Sequence, residues 1–196
     1  MEFLLIALAA ILVNNVVLTR FLGICSFLGT TKKSQSAIGM SLALAFVLIF
    51  SGIISYSLYF YVLVPLELEF LRLVAFILVI ASLVQFVEMF IKRYIPALYK
   101  SLGIYLPLIT TNCVVLTVAL DVAAVSGGVA NYDFLTMVVY VVASAIGFGL
   151  VTILFSFIQE RLANTPNMPK AFQGAASALL VAGLMAIAFI GFKGMI

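Results

Sequence analysis

The chain has 196 residues, 66% of them hydrophobic and 9% charged, and its mean hydropathy of +1.34 lies far above that of water-soluble domains. Ten Lys and Arg against seven Asp and Glu leave a net charge of +3, with no basic stripe for nucleic acid. Histidine is absent, which excludes a His-ligated haem, an HExxH zinc site, a Rieske-type centre and a Ser-His-Asp triad, and no Gly-rich phosphate cradle follows a strand.

Six apolar runs are each long enough to cross a bilayer, which takes about 20 residues at about 1.5 Å rise: 3–22, 37–64, 71–91, 102–120, 134–158 and 171–192. The pattern predicts an all-α, polytopic membrane protein forming a single integral membrane domain over 1–196, because no connecting loop is long enough to fold alone. The first run lacks a basic leader, carries Glu2 and has no small-residue cleavage site before Asn14-Asn15, so it reads as a retained helix, not a signal peptide. The second is long enough to tilt or to add a turn outside the lipid, and Tyr56, Tyr59 and Tyr61 near its end suit an interfacial belt. In the third, Glu88 precedes Lys92 by four residues, which favours a plain ion pair over an ion-carrying carboxylate. Gly39 with Ala43 in the second run, and Gly147 with Gly149 in the fifth, fit close helix packing.

Basic residues alternate between loops. Lys32 and Lys33, then Lys92, Arg93 and Lys100, then Arg161 and Lys170 fall on one side; Glu67, Glu69 and Arg72, then Asp121 and Asp133 fall on the other. Positive loops stay cytoplasmic, so both termini are expected outside, with Lys193 the main dissenting charge.

The chain also repeats itself. Asn14-Asn15-Val16-Val17-Leu18-Thr19 returns as Asn112-Cys113-Val114-Val115-Leu116-Thr117; Ser36-Ala37-Ile38-Gly39 and Leu42 return as Ser144-Ala145-Ile146-Gly147 and Leu150. A weaker third echo relates Ala75, Leu78, Ala81 and Leu83 to Ala176, Leu179, Ala182 and Leu184. Since the first run starts outside and the fourth inside, the halves (about 1–93 and 94–196) must be a three-plus-three inverted repeat.

Both echoed runs carry polar groups at membrane depth: Asn14, Asn15, Thr19, Arg20 and Gly23 in the first, Pro107, Thr110, Thr111 and Asn112 in the fourth. Such residues mark broken helices whose freed backbone groups line a protected site, or, more plainly, hydrogen bonds between neighbouring helices. The two cysteines, Cys25 and Cys113, lie at these interruptions. Three readings stay open for them: small apolar fillers, a disulfide (disfavoured by the reducing cytoplasmic side), or ligands of a metal or cluster. Soft tetrahedral sites and iron–sulfur clusters take four donors, so a ligand pair would need a second polypeptide to complete it. A straight first span would put Cys25 about 33 Å along it, far from Cys113 about 16 Å into the fourth. The ligand reading therefore predicts that the first span breaks and that Gly23–Cys25 turns back.

At these residues the sequence resembles a known family along its whole length. The stretches Phe21-Leu22-Gly23-Ile24-Cys25-Ser26-Phe27 with Lys32-Lys33, Gln85-Phe86-Val87-Glu88-Met89, Leu102-Gly103-Ile104-Tyr105-Leu106-Pro107-Leu108-Ile109-Thr110-Thr111-Asn112-Cys113 and Ala182-Gly183-Leu184-Met185 carry the likeness. They are similar to the homologous membrane subunits of the Rnf ion-translocating ferredoxin:NAD oxidoreductase and the sodium-pumping NADH:quinone reductase, and to the A-type Rnf members in particular. That resemblance implies six spans in an inverted repeat and pairing with a homologous, RnfE-like membrane protein of opposite orientation, beside the B-, C-, D- and G-type components of the Rnf complex. It further implies a [2Fe–2S] cluster inside the membrane held by two cysteines from each of the paired proteins, here Cys25 and Cys113, with Gly23, Asn14, Asn15, Thr110, Thr111 and Asn112 in support. The cluster would pass electrons between cytoplasmic iron–sulfur subunits and flavins outside, in a translocase coupling ferredoxin and NAD to Na⁺ or H⁺ pumping across a prokaryotic cytoplasmic membrane. The chain would have no catalytic activity of its own. An inverted-repeat secondary transporter without a redox centre is the alternative function, and a structural scaffold a third.

Overall fold

Chain placed in lipid must close its own backbone hydrogen bonds, and the described residues of the computed structural model (2–25, 34–66, 69–94, 112–127, 134–164 and 175–191) are helical, with no strand among them. Helix α1 (Glu2–Leu8) widens into a π turn over Ala9–Val13 and is followed by the short α2 (Val16–Arg20). Then come α3 (Ser34–Leu58), ending in a second π turn over Tyr59–Leu63, and α4 (Arg72–Tyr94), entered through a 3-10 turn at Glu69–Leu71. The second half holds α5 (Cys113–Gly127), α6 (Phe134–Ala163) and α7 (Ala175–Ile190). Three stretches, Ser36–Leu63, Arg72–Tyr94 and Phe134–Ala163, are long and apolar enough to cross a bilayer unaided. The expected span over 102–120 is described only from Asn112 onward, so its first half, with Pro107, Thr110 and Thr111, lies outside the described residues, as do Lys32 and Lys33.

α3 and α6 are apolar nearly all the way round, so their inward faces are marked by residue size and polarity. On α3 the buried stripe runs through Ala37, Met40, Ser41, Leu44, Val47, Leu48, Ser51 and Ser55, while Ile38, Leu42, Phe46, Phe50 and Ile54 point outward. On α6, Thr136, Ser144, Gly147, Thr152 and Ser156 face inward and Leu135, Ile146, Leu150, Leu154 and Phe157 outward. These two helices share the most extensive interface in the molecule. Lipid tails are as apolar as leucine, so their association rests on close packing through small and hydroxyl side chains. Gly52 illustrates it: an added Cβ would lie 2.9 Å from Val141 Cγ2. α4 touches the bundle through one narrow line, Phe76, Ile80 and Val84, at the i, i+4, i+8 spacing, and exposes apolar residues elsewhere.

One expectation is met and two need correction. The first run is broken, as its polar residues predict. It stops after Val13, because Asn14 (φ −102, ψ 36) and Asn15 (φ −63, ψ 114) leave helical geometry, and it restarts for five residues only. Tyr59 does not join an interfacial belt: it is 2% exposed, inside the core at the π turn, whereas Tyr61 on the same turn is 77% exposed. Asp121 is not in a loop after the fourth run. α5 continues through it to Gly127, and its charge is met by Arg20 from the first run.

Candidate functional site

The two asparagines that begin α2 and α5 do the same job. A helix start leaves amide N–H groups without intrahelical acceptors, and a side-chain oxygen at the N-cap supplies one. Asn15 Oδ1 accepts from Val17 N–H at 3.1 Å; Asn112 Oδ1 accepts from Val114 N–H at 3.0 Å. The backbone agrees: Asn15 O accepts from Leu18 N–H and Asn112 O from Val115 N–H, both at 3.1 Å. Both asparagines are buried at 2% exposure. The sequence echo matches Asn14 with Asn112 and Asn15 with Cys113, which is one residue out of step with the caps. Asn14 is exposed, and its N–H closes the π turn onto Ala9 O at 2.7 Å. In the structural register the counterpart of Cys113 is Val16, a buried valine.

Asn15 also donates. Its Nδ2 bonds to Ile11 O at 3.1 Å and to Gly147 O at 3.0 Å, which ties the break in the first run to the middle of α6. Glycine eases that approach, because a Cβ on residue 147 would lie 3.1 Å from Asn15 Nδ2 and 3.2 Å from Ile11 Cα, closer than ordinary contact. Thr19 Oγ1 bonds back to Asn15 O at 2.8 Å, as Thr117 Oγ1 does to Cys113 O at 2.7 Å, satisfying hydroxyls that would otherwise be orphaned in an apolar setting.

After Arg20 the chain turns sharply. Phe21 (φ 52) and Gly23 (φ 86) both adopt the left-handed region, the first uncommon for a bulky residue, the second natural for glycine. Gly23 is buried so tightly that a Cβ would come within 2.6 Å of Val114 Cγ2 and 3.5 Å of Phe148 Cε2. The path from Asn15 to Gly23 therefore starts and finishes beside the same turn of α6. In between, Arg20 Nη1 reaches both carboxylate oxygens of Asp121 at 3.0 Å, and Tyr140 OH donates to Asp121 Oδ2 at 3.2 Å. Tyr140 precedes Gly147 by seven residues, about 10 Å along the helix axis.

This return brings Gly23 N–H onto Cys113 Sγ, at 2.9 Å. Cys113 is half-buried as the first residue of α5, and Cys25, two residues beyond Gly23 and so within about 7 Å of it by chain reach, is exposed; the two are not joined in a disulfide. Of the residues singled out from sequence, Gly23, Asn112 and Cys113 are in one neighbourhood and Asn15 braces it from α6; Asn14 faces away. Glu88 is half-buried on α4, on a different helix from either capped turn. Sequence reasoning misses the Arg20–Asp121–Tyr140 cluster. The available hint is a pair of opposite charges at otherwise apolar runs.

An interrupted first helix, two helix starts capped by buried asparagines and an exterior of large apolar side chains define a multi-pass helical membrane protein. The chain belongs to the Rnf-Nqr family, whose model, described as "Rnf-Nqr subunit, membrane protein", matches residues 3–196. It is 52% identical over 195 residues to the A-type subunit of the ion-translocating oxidoreductase complex of Ectopseudomonas mendocina, covering 100% of this chain and 98% of the relative. The proteins of the same name from Azotobacter vinelandii and Shewanella oneidensis are 51% and 49% identical, with the same coverage.

Proposed function

We propose that this chain is a membrane subunit of an Rnf-type ion-translocating oxidoreductase, in which Cys25 and Cys113 supply two of the four thiolates of an intramembrane [2Fe–2S] cluster. A homologous membrane protein of opposite orientation supplies the other two. When bound, the cluster is a one-electron carrier between cytoplasmic iron–sulfur subunits and flavins on the outer side, within a complex that couples ferredoxin and NAD to Na⁺ or H⁺ translocation. The full arrangement in this reading is six spans, a three-plus-three inverted repeat and both termini outward.

The observation that carries it is the Gly23 N–H bonded to Cys113 Sγ. Amides directed at sulfur are a standard means of holding and tuning thiolate ligands. The donor set fits half a cluster: two thiols, one of them exposed, and no histidine. The left-handed Gly23 keeps the turn close enough to exclude any side chain between amide and sulfur. A secondary transporter without a redox centre accounts for the broken first helix but gives no role to the amide–sulfur pair.

The test is electron paramagnetic resonance of the dithionite-reduced pair of membrane proteins. A two-iron signal is expected in the intact pair and none after Cys113→Ser or Cys25→Ser, with iron and sulfide lost together. An intact pair that is colourless and silent rejects the assignment.

A further inference from the structure

Resting on the function proposed above, we propose that Asp121, clamped between Arg20 and Tyr140, is a positioning residue that holds the Gly23 amide on the sulfur of Cys113. The strained tripeptide Phe21-Leu22-Gly23 is fastened to α5 at both ends. At its start, Arg20 Nη1 meets Asp121 Oδ1 and Oδ2 at 3.0 Å; at its finish, Gly23 N–H meets Cys113 Sγ at 2.9 Å. Both anchor points lie on one helix, eight residues apart, about 12 Å of axis. Phe21 occupies a sparsely populated backbone region while its side chain remains 48% exposed, so its own burial contributes little to keeping it there. Such conformations persist only where the surroundings over-determine them. The neighbours that do so are the ion pair one residue before and the glycine contact two residues after. Tyr140, from α6, fixes the carboxylate by donating to Oδ2, the oxygen Arg20 also meets. The cluster thus ties the re-entering segment of the first half to two helices of the second. An amide bonded to sulfur favours the more negative, reduced state of a thiolate-bound centre, so its displacement lowers the reduction potential.

The test uses the purified complex carrying Asp121→Asn, Tyr140→Phe or Arg20→Lys, each compared with wild type. Asp121→Asn keeps the side-chain size and removes the charge. It is expected to retain the two-iron signal with shifted g-values and to be about tenfold less reduced at a fixed ambient potential, equivalent to about 59 mV for one electron. Tyr140→Phe and Arg20→Lys shift in the same direction by less. In iron-depleted complex with Cys25→Ser, maleimide alkylates Cys113 several-fold faster when Asp121 is Asn. Should Asp121→Asn fail to assemble, Tyr140→Phe decides. Variants that assemble with wild-type g-values, potential and alkylation rate overturn this inference alone, including the case where only yield falls. A wild-type complex without a two-iron signal overturns the functional reading and this inference with it.

Discussion

Two helices start in the same way and then part company. Asn15 and Asn112 each cap a helix at nearly equal distances from the amide two residues on, and each is buried. After Asn15 the helix lasts five residues and begins with a valine; after Asn112 it lasts fifteen and begins with a cysteine. The two echoed segments keep the backbone device that lets a helix begin amid apolar neighbours. They diverge in what that device presents: a carboxamide bracing α6 in one half, a sulfur in the other.

Five substitutions separate those roles. Gly23→Ala strikes where the halves meet, and is expected to be the most damaging. A left-handed non-glycine residue costs about 1–2 kcal/mol, and the Cβ lying 2.6 Å from Val114 Cγ2 adds about 1–3 kcal/mol of overpacking. Thermal unfolding in detergent should fall markedly, and the two-iron signal with it; a wild-type melt would dismiss the tight-turn account. Next, Asn15→Ala is expected to destabilise more than Asn112→Ala. Losing a cap costs about 0.5–2 kcal/mol in either case, but Asn15 also leaves Gly147 O and Ile11 O without its Nδ2 donor, worth about 1 kcal/mol or more. Equal losses in denaturation midpoint would mean that the bracing role does not exist. The smallest effects are expected at the receiving helix. Gly147→Ala needs the Ile11 backbone to give by a few tenths of an ångström and should cost about 1 kcal/mol or less. Gly149→Ala, whose Cβ would meet Ser41 at an ordinary 3.8 Å, should stay within about 0.5 kcal/mol of wild type. Indistinguishable melts for these two glycine variants would remove the close approach at Gly147 from the account.

Much of this is legible in the residues, and the failures have physical causes. The break in the first run is readable because two adjacent asparagines cannot lie quietly in an apolar helix. Which of them caps is not, since residue identity says nothing of where helical dihedrals resume; the echo is therefore one position off. Tyr59 misleads because composition places tyrosines at interfaces, whereas a π turn rotates this one inward beside an exposed Tyr61. Asp121 looks like loop punctuation because its partner, Arg20, lies 101 positions earlier and is brought near only by the tertiary packing of the first run against α5. The meeting of Gly23 with Cys113 is what the ligand reading of the two cysteines predicts, since a shared centre would require the first span to fold back.

The π turn at Ala9–Val13 has a consequence for how the chain tolerates change. Such a turn carries one residue more than an α-helical turn, matching in size the single-position offset between the asparagine caps and the echoed hexapeptide. The surplus residue is slack, held upstream of the break. Deleting one of Ala9–Val13 would tighten that coil to ordinary pitch upstream of the reversal and the thiol, at the expense of the carboxamide's bond to Ile11 O, whereas a deletion between Val16 and Gly23 would drag the amide off the sulfur.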